Sequence, residues 1–154
     1  MQPTDSADRY WNAEWARADA GSVWNNPEPE VLNHAATLPP ASRVLDLGAG
    51  LGRHALAFAR LGHSVAALDA AEHSVDAIRS AAQAETLSVA AHLGRMTDLP
   101  FADASFDHVL AWNVIYHGNA GVVARSIAEI ARVLRPGGLF LMSELHPYKQ
   151  LQGG

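Results

Sequence analysis

The sequence predicts an α/β protein built on a doubly wound, mostly parallel sheet. From residue 42 onward, short apolar runs alternate with amphipathic helical stretches. A turn carrying Gly48, Gly50 and Gly52 joins the first apolar run to the first helix behind it. Asp46, Asp69, Trp112 and Glu144 fall at the ends of successive apolar runs. Strands alternating with helices read as βαβ units. Right-handed crossovers then wind the chain onto both faces of the sheet. Strands covered on both faces are continuously apolar rather than alternating. Such sheets bind ligands outside the carboxyl ends of their strands, and that is where these four side chains are expected.

The elements follow in order. Residues 6–20 carry Tyr10, Trp11 and Trp15 at roughly helical spacing and predict a first helix. Residues 28–37 predict a second, entered from Pro27 and stopped before Pro39 and Pro40. Val44–Leu47 is a buried strand, and Gly52–Leu61 is a helix that Gly62 closes. Ser64–Leu68 is a second strand ending at Asp69, followed by a helix over Ser74–Gln83. Ser88–Leu93 and Asp107–Trp112 are the third and fourth strands. A helix over Val122–Leu134 presents Val123, Ile127, Ile130 and Leu134 on one face. Arg135-Pro136-Gly137-Gly138 should stop it, leaving Leu139–Glu144 as the fifth strand.

Composition narrows the partners. A chain of 154 residues is expected to form one domain, with residues 1–40 as a helical cap and 41–154 as the main fold. Its net charge of −5, with Lys149 the single lysine, is a poor match for nucleic acid or an anionic membrane surface. Without cysteine there is no disulfide or thiolate metal site. The eight histidines are scattered without ligand spacing, so no metal is expected. The amino end, Met-Gln-Pro-Thr-Asp, lacks a signal-peptide core, and no run is long enough to span a bilayer, so a cytoplasmic location is expected.

The glycine turn carries the chemistry. Glycine lets a ligand approach the backbone closely, and the helix behind offers unpaired N–H groups and a favourable dipole. The dinucleotide fingerprint is Gly-x-Gly-x-x-Gly, but Arg53 stands where its third glycine belongs. The chain has Gly-x-Gly-x-Gly with an acid two residues ahead. Asp69 lies 23 residues beyond Asp46, the distance of an acid that accepts ribose hydroxyls. The same Asp could instead cap the next helix. Such an acid fits the ribose of any adenosine-containing cofactor, and a tight turn without any ligand is the bland alternative.

Asp46-Leu47-Gly48-Ala49-Gly50-Leu51-Gly52 resembles the first motif of class I S-adenosylmethionine-dependent methyltransferases. Gly94-Arg95-Met96-Thr97-Asp98-Leu99-Pro100-Phe101 is similar to the segment that follows their third strand and flanks the adenine. Trp112-Asn113-Val114-Ile115-Tyr116-His117-Gly118 resembles their substrate segment in the small-molecule group, and differs from the Asn-Pro-Pro-Tyr form that grips planar amines. Glu129 to Gly138 resembles their helix-to-strand corner, which performs no chemistry. The amino end looks like the cap of tellurite- and thiopurine-type members.

The resemblance implies a Rossmann-like core with strand order 3-2-1-4-5, N-terminal cap helices and S-adenosyl-L-methionine as cofactor. It implies cofactor contacts from Asp46, Gly48, Ala49, Gly50, Gly52, Asp69, Ala70, Met96, Thr97 and Trp112, with Trp24 reaching over from the cap. Arg95 departs from the family, whose acid at that position meets the adenine; Asp98 or the Met96 backbone is the expected substitute. Asn113 and His117 become the catalytic candidates, His117 as a base for an acceptor that must lose a proton.

The expected reaction is methyl transfer to a small-molecule acceptor. The chain stops ten residues after the predicted fifth strand, short of the family's strands six and seven. A homodimer or another partner is expected to cover the edge so exposed. Two other readings stand beside this one. The chain could be a cofactor-binding module without turnover of its own. It could also, less favourably given Arg53, be an NAD-dependent oxidoreductase.

Overall fold

A computed structural model of the chain describes residues 26–114 and 119–143. The predicted first helix, Trp24, His117 and Glu144 lie outside the described residues. The described chain runs α1 (Pro29–Thr37), β1 (Arg43–Leu47), α2 (Arg53–Arg60), β2 (Ser64–Asp69), α3 (Glu72–Glu85), β3 (Val89–Leu93), β4 (Phe106–Ala111), α4 (Ala120–Val133) and β5 (Leu134–Met142). The strands form one sheet in the order β3-β2-β1-β4-β5, and every pair is parallel.

Side chains alternate across each strand, so the sheet feeds two cores. Val44, Val65, Ala67, Ala91 and Leu110 point to one face, where α1, α2 and α3 cover them with Val31, Phe58 and Ile78. Leu45, Leu47, Leu68, Val109 and Ala111 point to the other, against Ile130 and Val133 of α4 and Leu99. Asp46 therefore shares the face covered by α2, in place of a core side chain.

Element ends differ from expectation where a local signal was misread. Pro29, not Pro27, occupies the first turn of α1. Helix α3 is longer than Ser74–Gln83, and Thr86 closes it in the left-handed conformation at φ 54°. Helix α4 starts earlier than Val122, because the Asn119 side chain caps it by accepting from the Val122 N–H at 2.9 Å.

The largest correction concerns Arg135 to Gly138. These residues do not separate helix from strand but belong to β5. Leu134 pairs with Phe106 and Leu139 with His108, so the ladder shifts register and the extra residues bulge out. A Cβ on Gly138 would stand 2.9 Å from the Arg135 carbonyl oxygen and 3.0 Å from that of Asp107. Pro136 is tolerated because β5 is an edge of the described sheet, where a missing donor breaks no ladder. Asp107 secures the corner, accepting from the Arg43 N–H at 2.8 Å and from Arg135 Nε at 2.6 Å. These donors, the Arg43 N–H foremost, hold its carboxyl below the usual range. Among the described residues, no helix is long and apolar enough to cross a membrane.

Candidate functional site

All five strands point the same way, so their carboxyl ends share one edge. The glycine turn leaves β1 there and is tied to β2 beside it. The Gly48 and Ala49 N–H groups both donate to the Leu68 carbonyl, at 2.8 and 3.1 Å. The Gly50 N–H donates to Asp69 Oδ2 at 2.9 Å. The Gly52 N–H returns to the Ala49 carbonyl at 2.9 Å, and α2 starts behind it. Gly48 and Gly52 adopt φ of +63° and +87°, and the protein itself crowds both. A Cβ on Gly48 would overlap Val114 Cγ1, and one on Gly52 would lie 2.8 Å from Ile78 Cγ1. The sequence suggested room for a ligand as the reason for these glycines. At these two positions, close packing of Val114 and α3 is already sufficient reason.

Two carboxylates converge below the turn. Asp69 is buried at the end of β2, and its second oxygen accepts from the Ala71 N–H at 2.9 Å. Asp69 thus bonds the backbone just ahead of α3, but the N-cap residue of that helix is Ala71. Asp46 is 2% exposed. Burial pushes its carboxyl from the ordinary 3.8 up to about 7, only partly opposed by a hydrogen bond from the Ala55 backbone; nearby Asp69 pushes the same way and Arg53 against it. Among the described residues, its buried Oδ2 atom has no hydrogen-bond partner. A buried, unpaired carboxylate oxygen is costly, so this atom suits a cationic or hydrogen-bond-donating ligand group.

Arg53 and His54 open α2 and hold the segment that precedes α1. Arg53 donates to the Asn26 carbonyl at 3.1 Å and lies 3.5 Å from Glu28 Oε1. His54 Nε2 accepts from the Glu28 N–H at 3.0 Å. Burial, with help from Arg53, pushes the His54 ring down to about 3, so it accepts as a neutral imidazole. Its ring meets Trp112 edge-on at 6.2 Å. Sequence reasoning used Arg53 only as a missing glycine and overlooked His54, whose partner is 26 residues away.

Past β4, Trp112 and Asn113 lie half-buried at the same edge. Asn113 takes a left-handed φ of 58°. Its N–H donates to Ser143 Oγ at 2.6 Å, and that hydroxyl donates to Asn113 Oδ1 at 2.9 Å. Ser143, just beyond β5, is a second site residue that no local signal in the sequence revealed. Past β3, the Gly94 N–H donates to the Asp69 carbonyl at 3.0 Å. Arg95 and Asp98 form a small antiparallel bridge, with Met96 and Thr97 at its turn.

The structure therefore gathers Asp46, Gly48, Ala49, Gly50, Gly52, Asp69 and Ala70 at the adjoining ends of β1 and β2. Met96 and Thr97 follow the neighbouring β3 on one side, and Trp112 and Asn113 follow β4 on the other.

Comparison with known proteins agrees with the fold. Residues 44–138 match the model of a family described as a methyltransferase domain. An uncharacterised methyltransferase of Mycobacterium bovis is 41% identical over 105 residues, which are 66% of this chain and 39% of that protein. A demethylmenaquinone methyltransferase of Clavibacter sepedonicus is 36% identical over 126 residues, 80% of this chain and 49% of that protein. An S-adenosyl-L-methionine-dependent Diels-Alderase of Talaromyces variabilis is 33% identical over 138 residues, 88% of this chain and 47% of that protein. The chain thus spans less than half the length of each of these relatives. Among solved structures, the YcgJ protein of Bacillus subtilis superposes with a TM-score of 0.67 at 32% identity, over 75% of this chain and 50% of that one. The fold, the glycine turn with its two acids and the family match lead to one identification: the chain belongs to the class I S-adenosylmethionine-dependent methyltransferase family.

Proposed function

We propose that this chain binds S-adenosyl-L-methionine at the glycine turn and serves methyl transfer to a small-molecule acceptor. The observation that carries the reading is the buried Oδ2 atom of Asp46 at the carboxyl end of β1, which lacks a hydrogen-bond partner among the described residues and lies near Asp69. The cofactor is cationic at its sulfonium and its ammonium and carries ribose hydroxyls, so both acids fit it. Asp46 would meet the cationic amino-acid end. Gly48, Ala49, Gly50 and Gly52 would form the floor. Asp69 would meet the ribose hydroxyls, next to Ala70. Met96 and Thr97 would flank the base, and Trp112 would close the site from the β4 side. Trp24 and His117 are assigned on the sequence alone, as cover and as base.

When bound, the cofactor supplies an activated methyl group. The chain's own work is to orient the reactants and keep water out. Asn113, held by Ser143 in its left-handed conformation, would orient the acceptor beside Trp112. The demethylmenaquinone methyltransferase among its relatives supports a small-molecule acceptor. The Diels-Alderase supports a second reading, in which this cofactor is bound without methyl transfer.

Calorimetric titration with S-adenosylmethionine, S-adenosylhomocysteine and NAD tests the binding claim. Binding of the two adenosyl ligands without NAD is expected, and the reverse would overturn it. A methyl-release assay across acceptors then separates transfer from binding alone. Asp69→Ala should weaken adenosylhomocysteine binding by about 1–3 kcal/mol, the scale of lost charge-assisted hydrogen bonds. Because Asp69 also holds the Gly50 and Ala71 N–H groups, the titration belongs well below the variant's melting temperature. An unchanged dissociation constant refutes the ribose assignment.

A further inference from the structure

We infer that Arg132 and Glu129 of α4 are positioning residues for the cofactor's base, acting through the backbone of Leu99 and Phe101. The inference rests on the cofactor reading above and extends it to residues outside the glycine turn.

The segment between β3 and β4 has few backbone partners in the sheet, yet backbone polar groups away from water need partners. Two side chains one helical turn apart provide them. Glu129 Oε2 accepts from the Leu99 N–H at 2.7 Å. Arg132 donates through Nη2 to the Leu99 carbonyl at 3.0 Å and through Nη1 to the Phe101 carbonyl at 2.7 Å. The two side chains also grip each other, with Arg132 Nε 2.8 Å from Glu129 Oε1 and Nη2 2.9 Å from Oε2. Nη1 reaches Asp103 Oδ1 as well, at 2.9 Å, and the Arg132 carbonyl accepts from the Ala104 N–H at 2.9 Å. The Leu99 side chain is buried in the same cluster as Ile130 and Val133 of α4. Only a planar guanidinium presents enough donors in fixed directions to hold two carbonyls and two carboxylates together.

The other end of this segment is fixed too. Gly94 donates to the carbonyl of Asp69, the residue assigned to the ribose. Between the two anchors lies the Arg95–Asp98 bridge with Met96 and Thr97 at its turn. The base is one ring beyond the ribose, so a turn held at Asp69 on one side and at Arg132 on the other sets the wall the base meets. With Arg95 where the family resemblance implies an acid, the base edge would be read by the Met96 backbone or by Asp98, both carried on this turn. Such reading is only as selective as the backbone is fixed.

The test is calorimetric titration of the whole chain with S-adenosylhomocysteine and with its hypoxanthine counterpart, S-inosylhomocysteine. The wild type should prefer the adenine form. Arg132→Met should weaken adenosylhomocysteine by on the order of tenfold, equivalent to about 1.4 kcal/mol, while the inosyl ligand changes less and the preference collapses. Arg132→Lys, which keeps the charge without the fork, should not rescue it. Glu129→Gln keeps one acceptor oxygen and should fall between, and it serves if Arg132→Met does not fold. Variants that weaken both ligands by the same factor have a merely structural defect and overturn the inference. A wild type that binds the adenosyl ligand without preferring adenine overturns it as well. A wild type that binds neither ligand overturns the cofactor reading beneath it.

Discussion

Asp46→Asn is expected to stabilise the unliganded protein and at the same time to remove most of its affinity for the proposed cofactor. The carboxyl of Asp46 is pushed from 3.8 to about 7 by burial, so the folded state holds its proton more tightly than the unfolded chain does. Stability from this group is complete below about pH 4 and is lost as pH rises towards 7 and beyond. Each tenfold change in proton affinity is about 1.4 kcal/mol, so at pH 8 the ionised group costs the empty fold on the order of a few kcal/mol. An amide carries no charge and removes that cost. The gain, about 1–3 kcal/mol in urea unfolding at pH 8, should shrink towards zero near pH 4. A difference between variant and wild type that is the same at both pH values would sink the argument.

Binding runs the other way. A cationic ligand meeting Asp46 needs the carboxylate, so wild-type affinity should fall as pH drops below about 7. The Asn variant should bind about 2 kcal/mol more weakly at pH 8, the scale of a hydrogen bond to a charged group, and should lose the pH dependence. A cofactor affinity that ignores both the substitution and the pH would remove Asp46 from the site.

Gly48→Ala is the second large effect. Its φ of +63° costs any residue with a Cβ about 1–2 kcal/mol. The added carbon would also overlap Val114 Cγ1 and stand 3.0 Å from Val114 Cβ. Overpacking of this kind typically costs about 1–3 kcal/mol, so a total loss of roughly 2–5 kcal/mol is expected. Relief requires the turn or the Val114 segment to move, and each lines the proposed cofactor site, so binding should weaken as well. Val114→Ala removes the overlapping methyl. The double variant should therefore recover most of the steric part and leave the φ cost behind. A double-mutant cycle in urea measures this directly. Strict additivity of the two substitutions would show that Val114 is not what Gly48 accommodates.

What the sequence disclosed and what it hid follow from the range of the interactions. The alternation of strands and helices was legible because apolar strands and amphipathic helices of one βα repeat are local patterns, whereas the strand order followed only from the family resemblance. Asp46, Asp69 and the glycines were legible because they share one short turn and one strand end. The start of β5 was not, since Pro136-Gly137-Gly138 carries strong stop signals and only the neighbouring Phe106 and His108 reveal the bulge that absorbs it. His54 and Ser143 were hidden for a similar reason, their partners being 26 and 30 residues distant. In the sequence, Arg132 and Glu129 fall in a helix-to-strand corner for which the family resemblance implies no chemistry. Their hold on Leu99 spans 33 and 30 residues, and no periodicity records it. The role of Gly48 also needed coordinates, because crowding by Val114 is a tertiary fact.

The strand order also sets a timetable for synthesis. Strand β1 is central, flanked by β2 and β4. Its first neighbour begins at Ser64, but its second begins only at Phe106. At roughly 5–20 residues per second, the ribosome needs about 2–8 s to make the intervening stretch. Through that interval, the edge of Val44 to Leu47 that faces β4 has no strand to pair with, and it is open to any other extended chain. A nascent-chain chaperone would therefore be needed most while the polypeptide ends between β2 and β4, after the glycine turn has emerged and before its sheet can close.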